Sequence, residues 1–253
     1  MNNTVMRALD ILELISKSDT PLSITNISSS LNIPKSSTFD IVHTLSDRGF
    51  IEPSEENDKL FRIGLQAYQI GMAYTTNVSL FKISHPILEN LKECLNETAY
   101  LAVENKGYIT YLDKVESDSP IRSTCTVGAR NFMHITGLGK AILAGYPDDK
   151  VYKLTKGKFI TRTPNTIRSL KQLRIELKEI RSRGYSIDNG EDISIVRCVA
   201  APIRNGSGEV IAAISVSMLS DSFPSKKALA AEEVVKSAML ISAKMGYTGN
   251  TLY

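Results

Sequence analysis

At Ala99 the spacing of apolar residues changes. Upstream the chain is mostly helical in pattern. In VSLFKISHPILENLKECL, apolar residues fall at Leu80, Ile83, Ile87, Leu91 and Leu95, one helical stripe. Downstream, AYLAVENKGYITYLDKV alternates with period two around Asn105-Lys106-Gly107, the signal of a hairpin. A chain of 253 residues accommodates one large domain or two modest ones, and the change of period divides it into a small N-terminal part and a larger C-terminal one.

The N-terminal part reads as three helices and a hairpin. MRALDILELI carries Met6, Leu9, Leu12 and either Ile11 or Ile15 on one stripe, and Ser18-Asp19-Thr20-Pro21 ends it. Ser23 caps a short helix, ITNISSSL, with Ile24, Ile27 and Leu31 inward. Asn32-Ile33-Pro34 is a turn, and Pro34 suits the first position of a third helix from Lys35 to about Arg48. Ile41, Val42 and Leu45 form its buried face, completed by Thr38 or Phe39, and Gly49 stops it. Phe50-Ile51-Glu52 and Leu60-Phe61-Arg62-Ile63 flank a polar turn region, Pro53 to Asp58. This order is that of a winged helix-turn-helix whose third helix is exposed for reading.

The C-terminal part mixes strands and helices. IRSTCTV is expected as a strand, Thr136 to Ala144 as a helix, and Thr166 to Arg183 as an amphipathic helix closed by Gly184. CVAAPIRNGSGEVIAAISVSML predicts two strands about Asn205–Gly208, and a last helix spans Ala228 to Met245. Strands at both ends with helices between imply an α+β sheet with helices packed on it.

Composition narrows the class. No run of eighteen apolar residues is present, and Asp10 and Glu13 interrupt the apolar start, so neither a membrane span nor a signal peptide is expected. Cys94, Cys125 and Cys198 are odd in number and far apart, which fits a reducing cytoplasm rather than a disulfide framework. His43, His85 and His134 have no zinc spacing, so no metal or cofactor is expected. Net charge is +3, yet residues 1–66 hold six Lys or Arg against nine Asp or Glu. Any basic footprint for nucleic acid must therefore be local.

The blocks RALDILELI, LNIPKSSTFDIVHTLSDRGFIE, FRIG, HITGLGKAILA, RSRGYSIDNGE and RCVAAPIRNGSGEVIAAISVS, in this order, are similar to the IclR family of bacterial transcription regulators. The resemblance runs from about Met6 to Gly246. It implies a winged helix-turn-helix over 1–66, a linker helix region over 67–80, and a GAF-like effector-binding and oligomerisation domain over 81–253. It also implies a homodimer or a dimer of dimers on a palindromic DNA operator, repressing or activating a catabolic operon under a small metabolite. Carried over by position, the effector pocket comprises Gly137, Leu138 and Gly139, then Asp188, Cys198, Ser215 and Ser217. The chain departs from the family pattern in the third helix, where Asp40 and His43 stand at commonly basic places and Phe39 at one commonly small, polar or His.

The residues support these roles chemically. Lys35, Ser36, Ser37, Thr38, Asp40 and His43, with Arg62 in the wing, are the candidate DNA contacts. Hydroxyls and free N–H groups at a helix start suit a phosphate or a base edge. Gly137-Leu138-Gly139 opens a helix whose N–H groups suit a carboxylate. Ser215 and Ser217, two apart on a strand, share a face, and Asp188 can accept from an effector hydroxyl. Paired strand serines are usually wet, and a lone strand cysteine is usually a buried small hydrophobe. It is the joint occurrence of these residues at family-matching places that singles them out. The set suits a small hydroxy or keto acid. The competing class is an enzyme with Cys198 as nucleophile and His134 as base, but no Walker loop, G-x-S-x-G or dinucleotide fingerprint is present, and a non-enzymatic regulator is the expectation.

Overall fold

A computed structural model describes residues 2–77, 79–123 and 125–253, with backbone alone at 72–77 and 79. The chain divides into two units, Met1–Val78 and Ser79–Tyr253.

The first unit contains α1 (Asn3–Ser16), β1 (Leu22–Ser23), α2 (Ile24–Leu31), α3 (Lys35–Asp47), β2 (Ile51–Ser54), β3 (Asn57–Ile63) and α4 (Leu65–Asn77). Local chemistry sets the boundaries. Ser23 accepts from Asn26 N–H and the Asn26 side chain accepts from Ser23 N–H, a reciprocal cap on α2. Pro34 stands just outside α3, as its cap rather than its first residue. Gly49, at φ +71°, closes α3 with two bonds, Gly49 N–H to Ser46 C=O and Phe50 N–H to Leu45 C=O. The wing is tighter than its composition suggests. Pro53 and Ser54 remain in β2 and Asn57 and Asp58 in β3, leaving only Glu55-Glu56 as the turn. Leu22 and Ser23 add a short third strand, giving the antiparallel order β1-β3-β2.

The core of this unit is Ile11, Ile15, Ile27, Ile33, Ile41, Val42, Ile51 and Phe61. The stripe expected on α1 is therefore rotated. Ile11 and Ile15 are buried with Ala8 and Leu12 against them, while Met6 and Leu9 are exposed. The helix is apolar over more than half its circumference, so periodicity allowed either face; contact with α2, α3 and β3 selects one.

The second unit contains α5 (Ser79–Leu95), β4 (Thr98–Asn105), β5 (Tyr108–Val115), β6 (Arg130–Phe132), a 3₁₀ turn (Met133–Ile135), α6 (Gly137–Ala144), α7 (Asp148–Thr155), α8 (Leu170–Arg183), β7 (Ser186–Asp188), β8 (Val196–Arg204), β9 (Val210–Leu219) and α9 (Phe223–Lys244). Its six strands form one antiparallel sheet, β6-β5-β4-β9-β8-β7. Helices α5 and α9 pack on one face, and α6 and α8 cover the other. Lys106 (φ +53°) and Gly107 (φ +80°) make the two-residue turn between β4 and β5.

Three expectations for this unit differ, one of them the last helix, which begins at Phe223 rather than Ala228. IRSTCTV is not a strand at 121–123 or 125–127, and Thr124 lies outside the described residues. The strand beside β5 is Arg130–Phe132. Gly128, at φ +87°, turns the chain into it, and the preceding loop is tied down by Tyr100 Oη donating to Ser123 C=O at 3.0 Å. The long helix starts at Leu170, not Thr166. Ser169 caps it, and Thr166 Oγ1 instead accepts from Arg162 and Thr163 N–H and donates to Glu191 C=O.

Candidate functional site

The outer face of α3 carries most of the residues expected to contact DNA. No side chain caps its start, and the first intrahelical bond in this turn is Thr38 N–H to Pro34 C=O. The N–H groups of Lys35, Ser36 and Ser37 thus have no intrahelical partner. Lys35, Ser36, Asp40 and His43 are exposed and Ser37 is half-buried. Thr38 is fully buried, with its hydroxyl donating to Pro34 C=O at 3.2 Å, so its side chain does not face a duplex. Of the two residues that could complete the buried face, Thr38 does so and Phe39 points out. Arg62 in the wing is held by Glu52 and Glu55, each at 3.0 Å, and its charge is already partnered.

The second site is built by strand register. Residues directly opposite across an antiparallel ladder point to the same face, as do residues two apart along a strand. Asp188 lies opposite Cys198, Cys198 opposite Ser217, Ala200 opposite Ser215, and Ser215 opposite Tyr100. Asp188, Cys198, Ser215, Ser217 and Tyr100 therefore project from four adjacent strands onto one face. The start of α6 lies over them. A Cβ on Gly137 would stand 3.4 Å from the Cβ atoms of both Cys198 and Ala200. Between helix start and sheet is a cavity of about 220 Å³ lined by these side chains, with Thr136, Gly137 and Leu138 above.

Six of the seven expected residues line this cavity: Gly137, Leu138, Asp188, Cys198, Ser215 and Ser217. Gly139 does not. A Cβ there would run into the backbone of Met133, so this glycine serves the close approach of α6 to the 3₁₀ turn. Thr136 Oγ1 accepts from Gly139 N–H at 3.1 Å, leaving the N–H groups of Gly137 and Leu138 to an acceptor in the cavity.

Burial controls the charges. It pushes Asp188 up to about 6 and neighbouring Glu191 up to about 7, against the pull of the Lys140 ammonium. Glu191 N–H donates to Asp188 Oδ1 at 2.8 Å, and Lys140 Nζ donates to Glu191 Oε1 and Ile187 C=O, both at 2.6 Å. Cys198 Sγ is 2.9 Å from Ser217 Oγ, and burial holds the thiol far above its ordinary range, hence protonated. His134 is elsewhere, its ring hydrogen-bonded to the backbone of Ile160 and lowered by burial. The nucleophile–base pair of the enzyme reading is not assembled.

Sequence reasoning missed Tyr100, Tyr111, Arg130, Asn131 and Asp192 on the cavity wall. Tyr100 was legible as one face of an alternating strand, but not its cross-strand neighbours. Lys140 had a clearer signal, a lone lysine inside the apolar helix GLGKAILA.

A model of the bacterial transcriptional regulator IclR C-terminal domain matches residues 72–243, and a model of the IclR helix-turn-helix domain matches residues 4–55. The chain is 35% identical over 212 residues to the HTH-type transcriptional regulator BhcR of Paracoccus denitrificans, covering 83% of this chain and 75% of that one. It is 32% identical over 217 residues to the transcriptional repressor IclR of Escherichia coli K12, covering 85% and 79%. The crystal structure of the Thermotoga maritima IclR superposes with a TM-score of 0.80 at 29% identity, over 97% of this chain and 99% of that one. No helix among the described residues is long and apolar enough to cross a membrane.

Proposed function

The chain belongs to the IclR family of bacterial transcriptional regulators, a DNA-binding regulator and not an enzyme, and from that premise we propose that it represses a catabolic operon by binding a palindromic operator as a homo-oligomer whose grip a small carboxylate metabolite changes. Residues 1–66 are the reading head, 67–80 the linker, and 81–253 the GAF-like effector and oligomerisation domain, acting in the cytoplasm. Lys35, Ser36, Ser37, Asp40 and His43 face the duplex, and Arg62 does so once freed from its glutamates.

One observation carries the effector half of this reading. Strand register sets Asp188, Cys198, Ser215 and Ser217 on one face beneath the start of α6, where the Gly137 and Leu138 N–H groups have no intrahelical acceptor. Helix-start N–H groups take the ligand carboxylate, and the serines and Asp188 take a hydroxyl or keto oxygen. At about 220 Å³ the space is below the roughly 300–1,000 Å³ of pockets for drug-sized ligands, which favours a small acid.

The mechanism is linkage. The acid binds better to one arrangement of the effector domains, and the linker helices convert that preference into the spacing of two reading heads. An acid that binds both arrangements equally does nothing. The test is a thermal-shift screen of small hydroxy and keto acids, where a ligand at 100 times its dissociation constant adds about 2.7 kcal/mol, followed by operator binding with each hit. Cys198→Ser should keep operator affinity and move only the ligand response. Acids that stabilise the protein but leave operator affinity unchanged at every concentration would sink the regulatory reading.

A further inference from the structure

An aromatic ring stands in the middle of the reading helix where solvent gives it nothing. Ser36, Phe39, Asp40, His43 and Asp47 lie at three- and four-residue spacing, one row on the outer face of α3. All five are exposed, Phe39 to 51%. Its ring packs against His43 at 4.1 Å between centroids, tilted by 50°. His43 in turn meets the edge of Phe61 at 6.3 Å, and Phe61 is a core residue. The ladder from Phe61 through His43 to Phe39 ties an outward apolar group to the interior. These contacts bias the ring toward one outward orientation before it touches a partner.

The rest of the surface favours apolar readout. Residues 1–66 carry a net negative charge. Arg62 is held by two glutamates, and Asp40 adds an exposed carboxylate to the same row. Phosphate contacts, from exposed Lys35 and the free N–H groups at the helix start, carry no sequence information, so sequence preference must come from base edges. In the major groove only thymine offers an apolar group, its 5-methyl, and phenylalanine is among the side chains that contact it.

We propose that Phe39 reads thymine, packing its ring on the 5-methyl group of one thymine in each operator half-site, with His43 as the residue that positions the ring. This rests on the winged helix reading DNA through α3, as above. An apolar ring also discriminates against a phosphate or a water-filled edge, so Phe39 specifies sequence rather than holding the backbone.

The experiment uses the full chain. Preferred duplexes are selected from a random library, and each thymine of the winner is replaced in turn by deoxyuridine, which lacks only the methyl. One thymine per half-site should weaken binding about four-fold on losing its methyl, the worth of about 0.8 kcal/mol per buried carbon. Phe39→Ala should bind the thymine and deoxyuridine duplexes equally, and Phe39→Leu should keep part of the difference. His43→Ala should shrink the methyl effect without removing it. A Phe39→Ala protein that is weaker yet still distinguishes thymine from deoxyuridine would show a merely structural ring and overturn the proposal. So would a selected duplex indifferent to every methyl. Failure to enrich any duplex would instead overturn the reading head itself, and this proposal with it.

Discussion

Lys140 Nζ donates to Glu191 Oε1 at 2.6 Å, and the lysine side chain is wholly buried with the glutamate nearly so. The pair lies directly behind the cavity, since Glu191 N–H also holds Asp188. A charge pair this deep costs desolvation for both partners, and its chief effect is to prevent either from being buried alone.

Lys140→Met should therefore destabilise the folded chain by about 3–5 kcal/mol, because it strands two buried carboxyls. Urea denaturation measures this. A second change, Glu191→Leu, should recover much of the loss. If Lys140→Met alone proves neutral, the pair is not the support of the site that its geometry indicates.

Stability should depend on pH through Asp188 and Glu191. Both are held above their ordinary values of 3.8 and 4.5, so the folded chain binds these protons more tightly than the unfolded one. Their contribution is fully present below about pH 4 and is lost as pH rises through about 6 to 7. In urea titrations from pH 4 to 8, the stability of wild type relative to Asp188→Asn/Glu191→Gln should fall across that window. A small carboxylate should also bind more tightly as pH drops below 6, when Asp188 becomes a donor. Parallel profiles for the two proteins would contradict the assignment.

The two glycines that open α6 should separate fold from site. At Gly139 a Cβ meets the Met133 backbone, which cannot yield, and Gly139→Ala should cost about 1–3 kcal/mol as overpacking does. At Gly137 a Cβ would rest in ordinary contact with Cys198 and Ala200 while taking cavity space. Gly137→Ala should keep its melting temperature but lose about tenfold in acid affinity, or 1.4 kcal/mol. Calorimetry on both variants, with and without an acid from the screen, checks this; equal behaviour would refute it.

The wing should gain DNA affinity when its glutamates are neutralised. Glu52 and Glu55 hold Arg62 in two ion pairs. Glu52→Gln/Glu55→Gln frees one cation per head and removes two repulsive charges. Binding to any duplex should tighten, and the slope of log affinity against log salt should steepen by about one per head. An unchanged slope would place Arg62 away from the phosphates.

Much of this molecule is legible in its residues because the relevant information is local. The reciprocal cap at Ser23, the stop at Gly49 and the turn at Lys106-Gly107 are each decided by a few neighbouring side chains and backbone angles, and they appear where the sequence puts them. The two strands around Asn205–Gly208 follow from two apolar runs on either side of a Gly-rich turn. The order of these elements, with the blocks around GLGKAILA and RCVAAP, was enough for the family. Where a helix was apolar on both sides, as in α1, or where Thr38 and Phe39 competed for one inward place, periodicity could not choose.

Those choices belong to the tertiary structure. Which face of α1 is buried depends on Ile27, Ile41 and Phe61 arriving from other elements. That Tyr100 faces Ser215 depends on the register of strands far apart in the chain, and that Asp188 faces Cys198 depends on the path of the loop between β7 and β8. That Gly139 guards packing while Gly137 borders the cavity depends on where the Met133 backbone passes. The residue order determined the elements and their chemistry, since bonds within a few positions dictate them. Only the packed chain decided which side chains share a space, since that is a property of distances that no local pattern encodes.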